Sequence, residues 1–306
     1  MAAITPAFPM TRGRRVALVL GVPVCLALIA YNGFDLVANF GEGKYAVSYA
    51  LPAGAKSLTL SDVGGQVTIK QAPVSRATLT GTARYSLIRS TVTEHTAGDR
   101  TTIGNHCPLR LVGDCELDAT VSVPVGLPVS ASTGGGNASV TGTTGPVTLS
   151  SGGGDLSADD VSGPLSLSTN GGNIQVNAIT AHTLTASSGG GDITADGVSS
   201  ATFTANTTGG NIQATVSSAR VTAGSGGGDI DIVFMSVPLN VQVSTSGGNI
   251  TVVLPANGVK YDVSASTSGG SVNDSRLGKD TTSKNVITAT SGGGHITLCQ
   301  SNSGHC

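Results

Sequence analysis

The sequence predicts an all-β protein: a single-stranded parallel β-helix, or β-solenoid, with turns of about 18–20 residues, preceded by an N-terminal transmembrane helix. Three observations predict it. A glycine-rich phrase recurs at near-constant spacing, as "SSGGGDLSADDVSG" from Ser150, "SSGGGDITADGVSS" from Ser187 and "GSGGGDIDIV" from Gly224. Between the glycines, small apolar residues alternate with polar ones at period two. Near the N-terminus, an uncharged apolar run follows a cluster of arginines.

The first element is that run. "TRGRR" ends at Arg15, and Val16 to Ala30 are apolar, with "YNGF" extending the stretch to Phe34 before Asp35. A spanning helix needs ~20 such residues. No small-x-small cleavage site is present, since Leu28 precedes Ala30, so an uncleaved anchor is favoured over a removed signal. The arginines place residues 1–15 in the cytoplasm and everything from Asp35 outside, as a single-pass cell-membrane protein. Val24 before Cys25 is not the small residue that a lipoprotein signal requires.

Residues 35–50 read as a linker and residues 51–125 as an irregular β portion that caps the solenoid's open edge, which would otherwise expose unpaired backbone groups. The repeats run over 126–298, and 299–306 is a short tail. Cys107 and Cys115 flank "PLRLVGD", and Cys299 and Cys306 flank "QSNSGH", so each pair is placed to close a local disulfide in an oxidising compartment. The competing reading is a metal site from His106, Cys107 and Cys115, or from Cys299, His305 and Cys306. Neither set has the paired C-x-x-C spacing of zinc sites.

The repeat is measured at the residue after each glycine group. These markers are Asn137, Asp155, Asn173, Asp192, Asn211, Asp229, Asn249, Ser271 and His295, spaced by 18, 18, 19, 19, 18, 20, 22 and 24. A period near 20 is the mark of a solenoid, whose units bury their apolar side only against neighbours. "GGNIQVNAIT" and "GPLSLST" read as two strands of one unit, with Ile174 and Val176, then Leu165 and Leu167, on the inner side. At the corner, glycine provides positive φ and close backbone approach. If one marker falls per turn, the Asp and Asn residues stack about 4.8 Å apart, and the alternation separates like charges. A turn of about 37 residues with two markers is the alternative. Regularity lapses beyond Val253, where Ser271 and His295 replace Asp or Asn. A calcium β-roll would need G-G-x-G-x-D in both halves of each unit, which "SSATFTANT" lacks.

The composition narrows function. Charged residues are 11% and aromatics 3%, and the net charge of -2 carries no case for nucleic acid. No nucleophile elbow, dinucleotide fingerprint, phosphate loop or H-E-x-x-H occurs, and the residues imply no cofactor. Acid pairs such as Asp159 with Asp160, or Asp229 with Asp231, invite a glycan-cleaving reading. Adjacent strand residues point to opposite faces, which separates Asp159 from Asp160, and no aromatic platform accompanies either pair.

The order of an anchor, "SLTLSDVGGQVTI", "HC" then "CELDATVSVPVG", and "PVSASTGGGNASVTGTTGPVTLSSGGGDLSADDVSG" with further Gly-Gly-Asp/Asn units resembles the bacterial putative-adhesin family. These are β-strand-repeat domains of unknown function found in actinobacterial envelope proteins, and the resemblance covers roughly residues 50–298. It implies an extracytoplasmic structural or interaction module, with adhesion as its role and an envelope protein, peptide or glycan as partner. The alternatives are an envelope-stress or signalling component that binds a peptide, lipid or membrane partner, and a glycan-active enzyme.

Overall fold

The computed structural model describes residues 42–52, 54–61, 63–86, 88–106, 115–301 and 304–306; the apolar run and its arginines lie outside them. Among the described residues all of the regular structure is strand. In chain order the strands are β1 (Glu42–Ala50), β2 (Ser57–Ser61), β3 (Val67–Gln71), β4 (Thr78–Ser86), β5 (Thr91–Ala97), β6 (Arg100–His106), β7 (Cys115–Val123) and β8 (Val129–Thr133). Then come β9 (Ala138–Thr141), β10 (Val147–Ser151), β11 (Leu156–Asp159), β12 (Leu165–Thr169), β13 (Ile174–Asn177), β14 (Thr180–Ser188), β15 (Ile193–Thr207) and β16 (Ile212–Ser225). The chain finishes with β17 (Ile230–Phe234), β18 (Asn240–Thr245), β19 (Ile250–Leu254), β20 (Asp262–Thr267), β21 (Val272–Arg276), β22 (Val286–Ser291) and β23 (Ile296–Gln300).

These strands form one 23-stranded sheet wound into a flattened solenoid. Each regular coil contributes one strand to each of two faces. Val147 pairs in parallel with Val129 on one side and Leu165 on the other, and Leu156 likewise with Ala138 and Ile174. The glycine corner leads from the first face to the second, and a return corner leads back. In β15 and β16 the chain stays in strand conformation around the return corner, with a register shift between Ala195 and Val198 and positive φ at Gly197. One marker therefore falls in each coil, and the 37-residue turn is set aside.

Alternation builds the core. Val147, Leu165, Leu184, Phe203, Val221, Val241 and Ile287 form one inward row on the first face, all at most 3% exposed. Leu156, Ile174, Ile193, Ile212, Ile230, Ile250 and Ile296 form the opposing row. Burying each such side chain contributes about 1.5–3 kcal/mol. Branched aliphatics suit this gap because a thin space between two sheets has no room for many rings.

The ends depart from chain order. At the start, β2 and β3 pair with β6 and β7 on one side and with β8 and β9 on the other, so the first coil of the chain lies second in the stack. At the finish, β22 and β23 sit between β18/β19 and β20/β21. The last coil of the chain is thus also inside. Beyond the N-terminal coil, β7, β4 and β1 continue antiparallel, and β5 folds on β6 as a hairpin. The segment read as a linker, 35–50, holds strand β1 from Glu42 onward, because Tyr45, Val47 and Tyr49 alternate onto the core.

Candidate functional site

The glycine corner is the most elaborate local structure, and three columns meet there. The first is the marker column. The backbone N–H of each marker donates to the side-chain oxygen of the marker before it: Asp155 to Asn137 (2.8 Å), Asn173 to Asp155 (2.7 Å) and Asp192 to Asn173 (2.9 Å). Asn211 to Asp192 (2.7 Å), Asp229 to Asn211 (2.9 Å) and Asn249 to Asp229 (2.7 Å) continue it. Asn and Asp serve equally here because both present an acceptor oxygen. An Asn amide reaches the neighbouring carboxylate only at Asn249, whose Nδ2 lies 3.3 Å from Asp229 Oδ1. His295 then donates to Asn249 (2.9 Å), and Ser271 donates to His295 Nδ1 (3.1 Å), so the last two markers stack in reverse of their chain order.

The second column is made of hydroxyls that sequence reasoning passed over. Thr169, Ser188, Thr207, Ser225 and Thr245 are buried, and each donates to a glycine carbonyl of the previous coil at 2.8–2.9 Å. Each also accepts the N–H of the last glycine in its own corner at 2.8–3.2 Å. Two backbone groups that the tight corner would leave unpaired are satisfied by one side chain. The signal was present: a Ser or Thr stands four residues before every marker from Asn137 to His295.

The third column is the glycines themselves. None of the glycines that precede the markers from Asn137 to His295 has positive φ, which corrects the conformational half of the expectation for the repeats; in the first coil's corner Gly64 does, at 51°. Close approach is the reason for the last glycine of each group: a Cβ on Gly172 would run into Gly154 O, and one on Gly210 into Gly191 O. The middle glycine is different, since a Cβ at Gly171 would find nothing nearer than 3.8 Å.

Elsewhere, Asp159 and Asp160 lie on the return corner, Asp160 with φ 54°, and Asp231 stands on the second face beside the marker column of Asp229. Shallow depressions of about 370 and 550 Å³ lie on the N-terminal cap around Asp118, lined among others by Thr82, Lys44 and Arg84. Arg84 bridges Glu116 (3.8 Å) and Asp118 (3.2 Å), which spends its charge within the chain. Among the described residues no three His, Cys, Asp or Glu side chains gather as a metal group. Cys299 and Cys306 form a disulfide, and Arg276 donates to Cys306 O. Cys115 is disulfide-bonded; Cys107 lies outside the described residues. Burial raises the Tyr261 phenol above its ordinary value, and its hydroxyl has no partner. Burial first, then the nearby Tyr45 and Glu94, raises Tyr49.

A family model, Toastrack DUF4097, matches residues 120–304, more than half of the chain. The chain belongs to the Toastrack DUF4097 family. The matched Toastrack region takes in every glycine corner from Gly134 onward, together with the clamped C-terminal coils. No curated protein matches the chain. Among solved structures, a putative adhesin from Parabacteroides merdae is similar at 13% identity over 83% of this chain and 95% of that one, with a TM-score of 0.49. A putative adhesin from Bacteroides fragilis shares 14% over 84% and 97%, TM-score 0.47. A putative lipid binding protein from Parabacteroides distasonis shares 11% over 85% and 98%, TM-score 0.48. At these identities nothing about activity follows for this Toastrack chain.

Proposed function

We propose that this chain is a membrane-anchored, extracytoplasmic solenoid that acts as an interaction module, with adhesion as its role. The observation that supports this reading most is the outer side of the first face. Ser130, Thr148, Ser166, Thr185, Thr204 and Thr222 stack in one register column without a charge among them. A rigid, flat, hydroxyl-lined face suits contact with an extended partner surface better than enclosure of a small molecule. The apolar run after Arg15 supplies the anchor, and the disulfide between Cys299 and Cys306 suits an oxidising compartment. The neighbours described as adhesins and as a lipid binding protein are in keeping with a binding role of this kind.

The test is protease treatment of intact cells that make the full chain, followed by attachment assays on the same cells. Residues 42–306 are expected to be digested from outside, and cells carrying the chain are expected to attach to one another or to a surface better than cells without it. Full protection from the protease, or attachment indifferent to the chain, would sink the reading.

A further inference from the structure

The marker column ends on a different acceptor from the one that builds it. From Asn137 to Asn249 every link is a backbone N–H donated to a side-chain oxygen of the coil before, either carboxamide or carboxylate. His295 joins the column as a donor to Asn249 Oδ1 at 2.9 Å and passes it on through nitrogen. Its Nδ1 takes the backbone N–H of Ser271 at 3.1 Å and lies 2.9 Å from Ser271 Oγ. A backbone N–H can only donate, so the Ser271 amide requires a bare Nδ1 and places the proton of the neutral imidazole on Nε2. Both residues are exposed, which gives solvent protons free access to the ring.

The change of acceptor falls where the stack is least secured. Ser271 belongs to the outermost coil, whose strands β20 and β21 pair, among the described residues, with β22 and β23 alone. The ladder of β21 is further interrupted by a register shift between Asn273 and Arg276. Around the same corner, Ser268 N–H donates to Ser291 O (3.2 Å), Thr267 to Gly294 O (2.7 Å) and Ile296 N–H to Ser271 O (2.9 Å). None of these three bonds involves a group that titrates in the neutral range, so a change of pH acts there on the His295 link.

The surroundings of the ring are otherwise uncharged. The corners packed on either side of His295, residues 246–251 and 268–273, contain no side chain that carries charge. The next ionisable member of the column is Asp229, two coils below, which accepts the N–H and Nδ2 of Asn249; Asp231 follows it on β17. In the outer coil Asp274 is paired with Lys279, and Arg276, at the far end of β21, donates to Cys306 O with His305 next to it in the tail.

We propose that His295 is a pH-sensitive latch on the outermost coil, closed while the imidazole is neutral and open at the glycine corner when Nδ1 is protonated. Histidine is the side chain whose charge ordinarily changes between about pH 5 and 8, whereas carboxamides do not titrate there and carboxylates are ordinarily ionised throughout it. A protonated Nδ1 is a donor. The Ser271 hydroxyl can turn to accept from it, but the backbone N–H cannot, and is left facing another donor. Protonation and closure of the corner therefore compete, and falling pH favours the open corner. Opening uncovers the edge of β23 at Ile296 and Thr297, which Val272 and Asn273 cover in the closed coil. A free strand edge of this kind is able to pair with another strand.

Hydrogen exchange on the full chain in detergent tests the latch, read at the two ends of that pH range and corrected for the intrinsic pH dependence of amide exchange. Peptides across residues 262–276 are expected to exchange about fivefold faster at the acid end, the size of one hydrogen bond lost, while those across β8 to β16 stay as they were. His295→Asn returns an acceptor oxygen like that of the other markers, and is expected to keep the corner closed at both ends of the range. His295→Ala is expected to leave it open at both. His305→Gln, in the tail, is expected to retain the pH dependence. All three substitutions are at exposed positions and leave the core intact. Equal protection of residues 262–276 at both ends of the range in the native chain overturns the proposal, as does a pH dependence that survives His295→Asn or disappears with His305→Gln.

Discussion

At the N-terminal end of the solenoid, the antiparallel strands β1, β4 and β7 and the β5–β6 hairpin close over the core, and Leu51, Leu79, Ala83 and Leu117 are at most 1% exposed. Tyr45 and Tyr49 on β1 reach across to donate to Ser90 O, just before β5, and to Val92 O on it, both at 2.9 Å, which stitches the two faces together. Arg89 lies 4.2 Å over the Tyr45 ring and Tyr85 packs at 6.2 Å. Among the described residues the C-terminal end has no such lid. The outermost coil leaves Val263 and Ala265 half-buried and Val272 38% exposed. This end is held from within instead: the last coil of the chain is clamped between two others, and its tail is tied by the Cys299–Cys306 disulfide and by Arg276.

The difference teaches that a stack can be ended by covering its core or by hiding its chain terminus. A terminal coil paired on one edge frays with little loss; one paired on both edges opens only if its neighbours part. Both ends of this chain use that second device, since the first coil too is internal. Only the N-terminal end adds a lid, and on the anchored reading that is the end nearest the membrane.

The comparison is sharpened most by two glycines. A Cβ on Gly81 in β4 would run into Asp118 O, whereas one on Gly278 meets nothing nearer than the flexible side chains of Gln300 and Lys260 at 3.4 Å. Gly81→Ala is expected to cost about 3 kcal/mol or more in denaturant unfolding, and Gly278→Ala less than about 1. Equal losses would mean that the two ends are equally tight. Next in size is Cys306→Ser, expected to cost about 2 kcal/mol because the loop it closes is short. Hydrogen exchange should place that loss in residues 262–306 and leave β1 to β9 as they were; faster exchange at the N-terminal cap would break the comparison.

Tyr49→Phe removes one hydroxyl and is expected to cost about 1 kcal/mol, read as faster exchange in β5 and β1 alone. The smallest effect is acid. The Asp280 carboxyl is held below its ordinary 3.8 by hydrogen bonds from Thr282, side chain then backbone, with Lys260 nearby. A depressed carboxyl favours the fold above its ordinary value and loses that contribution as pH falls through the folded one. Exchange in residues 277–285 is therefore expected to quicken below pH 3.8 before the N-terminal cap responds. Simultaneous loosening of both ends would show that this loop is not a separate unit.

Much of the architecture was legible in the residues. The coil period, the two strands per coil and the marker column are local properties: alternation decides which side chains turn inward, and the glycine group recurs at the bend of each coil. A serine or threonine four residues before each marker was equally visible, but its bond to the preceding coil's carbonyl exists only once coils are stacked.

The order of the coils was not legible. The edge of β18 accepts β22 through Val241 with Ile287, but it would accept the alternating pattern of β20 just as well, because parallel pairing is written in backbone groups that every strand carries. What separates the two is inward bulk: β22 brings Ile287 and β23 brings Ile296 and Leu298, while β20 and β21 offer Val263, Ala265, Val272 and Asp274. The more apolar coil takes the interior place and the more polar one faces solvent. By itself, then, the sequence determined the shape of each coil, a matter of neighbours along the chain. Only the tertiary structure decided which coil lies against which and how each end closes, because those choices weigh burial between segments that are distant in the chain and alike in pattern.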